Sequence, residues 1–249
     1  MKRIALFLMA LALILMLAAC RKTQSETETA AGFTELSQSE RETRMREWAR
    51  LTAEQIRSEE SEDPDALPAV EAKDFSMTET ALEFKIRELM ITGATESEAR
   101  ARVLDFIVKD SLYYAAKESG MDFDESEAIA RHAEQRSMLE EALADPEQSD
   151  GAYDMKIYFE ALAKEGVSLE AYCANAQDLW VRNEWVAAYT QSLHDSYLAQ
   201  GGSAEDVEAY EQYCFEMTRE AVEAQNLQLH GVQWKLTQDN YQQSLWPEL

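Results

Sequence analysis

Proline and glycine, the residues that interrupt helices, are sparse in this chain. Past Pro68 the only prolines are Pro146 and Pro247, and glycine stands at Gly93, Gly120, Gly151, Gly166, Gly201, Gly202 and Gly231. Proline removes a backbone donor and clashes with the preceding turn, while glycine favours the left-handed conformation that closes a helix. Most intervals between these breaks are long enough for a helix. Several intervals open with a side-chain oxygen followed three residues later by an acid, the pattern that caps free backbone amides: Ser76 before Glu79, Thr95 before Glu98, Asp124 before Glu127 and Ser203 before Asp206. Strand signal is almost lacking. Only Ala69 to Met77 alternates weakly, and it reads equally as an extended connector. The predicted fold class is all-α, a helical bundle.

Hydrophobic spacing says which helices are central. Residues 100–119 carry Val103, Leu104, Phe106, Ile107, Val108 and Leu112 around most of the helix circumference, so that helix must be buried. From Val207, the residues Tyr210, Cys214, Met217, Ala221 and Ala224 recur at alternating spacings of three and four, a seam that packs on the same domain or zips to a second chain. Met45, Trp48, Ala49 and Ile56 predict a short amphipathic helix at 40–58, ahead of a break at Pro64 and Pro68.

The amino end is different in kind. Lys2 and Arg3 precede an uncharged run from Ile4 to Ala19, the layout of a cleavable export signal. That run is short for a membrane span, which needs roughly 20 apolar residues. Leu17, Ala18, Ala19 and Cys20 resemble the lipobox of bacterial lipoproteins, and the resemblance implies that Cys20 is lipid-modified and becomes the first mature residue. Two or three acyl chains hold a protein on a membrane where one does so only marginally. The expected place is the bacterial cell envelope, anchored on the extracytoplasmic side. The domain plan is then a signal peptide at 1–19, an acidic tether at 20–70 containing the helix at 40–58, a helical module at 71–200, and C-terminal helices at 201–249 that pack on the module. The tether from Arg21 to about Ser39 is rich in Ser, Thr, Glu and Gln, with too little apolar surface to offset the entropy of ordering.

Charge narrows the partners. The formal net charge is −25, and loss of Lys2 and Arg3 with the leader takes it to −27. Nucleic acid and anionic head groups are repelled by such a surface, whereas basic or unfolded cationic chains are attracted. The hydrophobic fraction of 46% is ordinary, so a core can form.

Motifs for chemistry are few. His132, His194 and His230 lie far apart, and no Cys-x-x-Cys or His-Glu-x-x-His occurs. Asp122, Asp124 and Ser126 imitate the opening of a calcium loop, but Glu127 replaces the required Gly and Ala133 the closing Glu. Neither a nucleophile elbow nor a glycine-rich phosphate loop is present. No catalytic residue, metal site or cofactor is expected. Cys173 and Cys214 are either bridged, which would add roughly 3–4.5 kcal/mol by the chain-entropy model, or buried free thiols that behave as small hydrophobes.

Aromatic residues crowd the second half of the chain, more than a small helical core needs. Most belong to the core, and the remainder are candidates to line a groove for apolar peptide segments. The candidate contacts are Phe159, Trp180, Trp185, Tyr189 and Tyr213.

Two stretches carry a family resemblance. RVLDFIVKDSLYYAAKESGMDFDESEAIARHAEQR looks like the N-terminal module of the SurA and PrsA class of extracytoplasmic folding factors, in which an apolar helix runs through an Ala-x-x-x-Gly-like turn and a loop into an acid-capped helix. YFEALAKEGVSLEAYCANAQDLWVRNEWVAAY is similar to that module's next unit, a helix, a Gly-Val-Ser turn and a long helix. Together they span about Thr78 to Leu198. The family's Val-Asn-Gly strand is replaced by VEAKDFSMT, and about fifty residues follow Leu198, too few for the parvulin isomerase domain. The resemblance therefore implies the chaperone part without the catalytic part, with the helix from Val207 returning to pack on the module. The expected function is non-covalent holding of exported or unfolded polypeptides. The alternative is a structural lipoprotein bound to one envelope partner, and a residual prolyl isomerase ranks third.

Overall fold

The structure is a computed structural model that describes residues 36–60, 68–203 and 205–244. The expected leader at 1–19 and Cys20 lie outside the described residues. The chain is mostly helical and also forms a small three-stranded sheet. In order, the elements are α1 (Gln38–Glu60), β1 (Pro68–Glu71), β2 (Ser76–Thr78), α2 (Glu79–Ile91), α3 (Glu96–Arg102), α4 (Phe106–Glu118), α5 (Glu125–Ala144), α6 (Asp150–Lys164), α7 (Leu169–Ala199), α8 (Val207–Ala224), β3 (Gln228–Leu229) and α9 (Gln238–Ser244). They sort into two compact units. One holds 36–60, Glu83–Ala101 and Ile129–Gln177; the other holds 68–82, Arg102–Ala128 and 178–244.

Two of the four predicted caps form where the sequence places them. Thr95 and Glu98 close a reciprocal box, with the Thr95 N–H donating to Glu98 Oε2 at 2.8 Å and the Glu98 N–H donating to Thr95 Oγ1 at 3.3 Å. Asp124 Oδ1 accepts from Ser126 at 2.9 Å and from Glu127 at 3.3 Å. Two starts are displaced. Ser76 lies in β2, and α2 is capped by Thr78, whose hydroxyl accepts from the Ala81 N–H at 3.2 Å. Ser203 sits in the preceding turn, and the cap of α8 is Asp206, accepting from Ala209 at 3.1 Å.

In the first unit α1 packs along α6. Met45, Trp48, Ala49 and Ala53 close on Ile157, Tyr158, Leu162 and Val167. Ala49 and Ala53 are fully buried, and their small side chains let the two helices approach. Tyr158 Oη donates to Thr52 Oγ1 at 2.8 Å, which satisfies the hydroxyl inside the contact. The short helix expected at 40–58 in the tether is a helix of 23 residues, and from Met45 to Ala53 its inner face is core. An unremarked Ser37–Glu40 box starts it, with the Ser37 N–H donating to Glu40 Oε2 at 2.8 Å. At the end of α6, Gly166 adopts φ +87°; its N–H donates to Ala163 O and that of Val167 to Leu162 O, both at 3.1 Å. This paired closure needs the left-handed residue that glycine supplies, and it tucks Val167 under Leu162.

In the second unit α4 and α8 form the centre, with Val108 and Leu112 against Ala221 and Val222. The expected helix over 100–119 is interrupted by a 3-10 turn at Val103–Asp105, whose three side chains are all buried. The buried stripe of α8 is Cys214, Thr218, Ala221 and Val222, a straight-helix period that packs on α4 and α9. The sheet, order β2-β1-β3 and antiparallel throughout, is a small addition to a chain whose mostly helical character agrees with the all-α expectation. Val70 is fully buried and pairs with Met77 on one side and Leu229 on the other. Gln225, 2% exposed, ties the hairpin turn to the end of α8: its Nε2 donates to Asp74 Oδ2 at 3.0 Å, and its Oε1 accepts from the Asp74 N–H at 3.2 Å. Asn226 at φ +50° then turns the chain into β3, a conformation asparagine tolerates better than most residues.

Candidate functional site

The five candidate contact residues divide between the units. Phe159 belongs to the first, packed edge-on to Tyr158 at 5.1 Å and to Tyr172 at 5.2 Å, where it completes a core. Trp180, Trp185, Tyr189 and Tyr213 belong to the second.

Trp185 is 7% exposed. Phe123 covers its ring at 4.3 Å, Lys117 Nζ sits 4.6 Å from the ring centroid, and its Nε1 donates to Glu125 Oε1 at 2.8 Å. Lys117 also bonds Glu125 at 2.6 Å, and this bond, followed by the one from Trp185, holds the Glu125 carboxyl below the usual carboxylate range. Arg182 covers Tyr113 at 5.0 Å. Each cation here lies on a ring and beside a carboxylate, so the cluster pins the loop before α5 onto α7. Trp180 is partly exposed, and Leu179 beside it is 56% exposed.

Tyr189 is half-buried against the Val108 and Leu112 core, and its hydroxyl pKa is pushed up first by burial and then by nearby Tyr213. Tyr213 opens onto an aromatic ladder with Tyr197 and Tyr210, neither of which was among the candidate contact residues. Ring centroids run from His194 to Tyr210 at 5.2 Å, from Tyr210 to Tyr197 at 5.3 Å and from Tyr197 to Tyr213 at 5.4 Å. All four rings are partly exposed. Gln200 Nε2 donates to Tyr213 Oη at 3.5 Å, so the phenol accepts there and keeps its own proton for a further partner. The signal for the ladder was the i,i+3 spacing of Tyr210 and Tyr213 together with the Gly201-Gly202 doublet, which brings α8 back beside α7.

Gly202 shows how close that return is. A Cβ there would overlap the ring atoms of Tyr197. Gly202→Ala is expected to swing Tyr197 out of the ladder and cost about 1–3 kcal/mol by overpacking. Thermal melts and the Tyr197 ring resonances check this; unchanged resonances would show that the ladder does not depend on the glycine.

The ladder's electrostatics are one-sided. Between Arg182 and Arg219 the chain carries seven carboxylates and no Lys or Arg. Burial first, then a bond to Cys214, raises the Tyr210 hydroxyl pKa, and Asp195 adds to the rise. Leu198 and Val207, at 38% and 61% exposure, are the exposed apolar residues of the two helix ends that meet there.

Cys173 and Cys214 are both free and buried, in different units, so the bridge expected as one option is not formed. Burial pushes both thiols up, away from the reactive thiolate. Among the described residues no group of three His, Cys, Asp or Glu side chains is placed to hold a metal ion, and no helix is long and apolar enough to cross a membrane.

No family model, curated protein or solved structure matches the chain.

Proposed function

We propose that this is an extracytoplasmic, lipid-anchored, chaperone-like protein that holds exported or unfolded polypeptides non-covalently, without isomerase chemistry. The observation that carries the reading is a partly exposed aromatic surface on α7 and α8 inside a stretch whose only full charges are negative. Such a surface offers apolar contact to a chain that has lost its own core, and it attracts basic chains in preference to acidic ones. The likeness of residues 78–198 to the SurA-type N-terminal module, and of Leu17 to Cys20 to a lipobox, supports the same role and the same compartment. The membrane enters only through acyl chains on Cys20, and nucleic acid is not a partner for so acidic a surface.

The second reading, a structural lipoprotein with one envelope partner, draws on the burial of Trp185 and the core position of Phe159, which narrow the surface left for varied clients. The test is aggregation of a basic unfolded chain, such as reduced lysozyme, with the full protein carried in nanodiscs of zwitterionic lipid. Light scattering is expected to fall in proportion to added protein and to be suppressed at several-fold excess. Undiminished scattering at that excess removes the holding role. In-cell crosslinking separates the two readings: one dominant adduct favours the single partner, and many exported proteins favour holding.

A further inference from the structure

We infer that the tyrosine ladder of α7 and α8 is a docking surface for an extended, proline-containing polypeptide segment that bears Lys or Arg. This rests on the holding role proposed above and names the class of segment held. Three features point to that occupant. The first is ring geometry: His194, Tyr210, Tyr197 and Tyr213 follow one another in steps of 5.2, 5.3 and 5.4 Å, with interplanar angles of 89°, 52° and 43°. Rings that touch in this way form one continuous, partly exposed aromatic face, the kind of surface on which the flat pyrrolidine of proline packs. A polyproline II segment rises about 3.1 Å per residue, so the ladder spans roughly three to five residues of it.

Hydrogen bonding is the second feature. A polyproline II chain makes no internal hydrogen bonds and presents unpaired carbonyls, which need donors. Tyr213 accepts from Gln200, which leaves its own O–H able to donate to such a carbonyl. The ladder thus supplies ring faces and a phenolic proton, the two things such a segment lacks.

Charge is the third. Asp195, Glu208 and Glu211 are exposed on the two ladder helices, and no cation stands between Arg182 and Arg219 to neutralise them. A peptide of the same backbone with Lys or Arg between its prolines is drawn in, and one with Glu is repelled.

The experiment uses the full chain in zwitterionic nanodiscs, with fluorescein-labelled ten-residue peptides read by anisotropy and empty nanodiscs as the blank. One peptide repeats Pro-Pro-Lys, the second replaces Lys by Glu, and the third replaces Pro by Ala. The Lys/Pro peptide is expected to bind at least tenfold more tightly than the Glu/Pro peptide and at least threefold more tightly than the Lys/Ala peptide. Tyr213→Ala is expected to weaken it at least tenfold and Tyr213→Phe no more than threefold. Glu208→Gln with Glu211→Gln, which alters only exposed side chains, is expected to weaken it twofold to fivefold with an unchanged circular dichroism spectrum. Equal binding of the Lys/Ala peptide, or full affinity in Tyr213→Ala, overturns the inference. If no peptide binds while aggregation of the basic client is still suppressed, the ladder assignment fails and the holding role stands; if both vanish, both fall.

Discussion

Trp48→Ala is expected to destabilise the first unit by about 3–5 kcal/mol, the usual cost of removing a large buried aromatic side chain. Trp48 is 4% exposed and meets Tyr158 edge-on at 5.8 Å, with Met45, Ala49 and Leu162 in the same cluster. Loss of the edge-to-face pair accounts for about 0.5–1.5 kcal/mol of the effect. Denaturant unfolding, with hydrogen exchange of α1 and α6 to localise the loss, measures it. Glu47→Ala, on the exposed face of the same helix, is the control and should stay within about 0.5 kcal/mol of the parent. A Trp48→Ala cost below 1 kcal/mol would return residues 38–60 to a tether.

Asp105→Asn is expected to stabilise the second unit at neutral and alkaline pH, by on the order of 2–4 kcal/mol at pH 8. Asp105 is 7% exposed in the 3-10 turn, and its Oδ1 has no hydrogen-bond partner among the described residues. Burial raises its pKa from 3.8 to about 7, with Arg102 and Lys109 pulling the other way. The direction of the pH effect follows from proton binding. Between about pH 4 and pH 7 the folded state keeps the proton and the unfolded state releases it, so the stabilising contribution is complete below pH 4 and lost as pH rises through 7. The elements packed on the turn are α4 and α9. Of their charged groups Lys109 acts on the carboxyl, while Asp239 is exposed. The parent should therefore lose stability from pH 4 to pH 8, and the Asn variant, with the same shape and no titration, should show a flatter curve that meets the parent's near pH 4. Parallel curves for the two proteins would mean that Asp105 is ionised throughout.

Local rules account for what could be read from the residues. The Thr95–Glu98 box and the Asp124 cap involve atoms three residues apart or closer, so their geometry is set by helix pitch alone. The central position of Ile107, Val108 and Leu112 follows from apolar spacing in the same way. Ser76 and Ser203 failed as caps because a stronger local choice lay within three residues: Thr78 closes the strand pair, and Asp206 carries a charge at the helix start. The sheet was faint because β3 has two residues, and its pairing to β1 joins positions about 160 residues apart that no window of sequence connects. The tyrosine ladder was half legible: the spacing of Tyr210 and Tyr213 put both on one face of α8, but only the return of the chain at Gly202 brought Tyr197 between them.

The residues by themselves determined the helical character, some of the helix starts, the apolar faces and the negative surface, because each depends on neighbours a few positions apart or on a sum over the chain. Tertiary structure alone decided that the inner face of α1 from Met45 to Ala53 is core, that Trp185 is sealed under Phe123 while Tyr197 and Tyr213 stay partly open, and that both cysteines are buried free thiols. Those outcomes depend on which apolar faces find each other. Several faces of similar hydrophobicity compete for the same cover, and close packing between distant segments settles the competition.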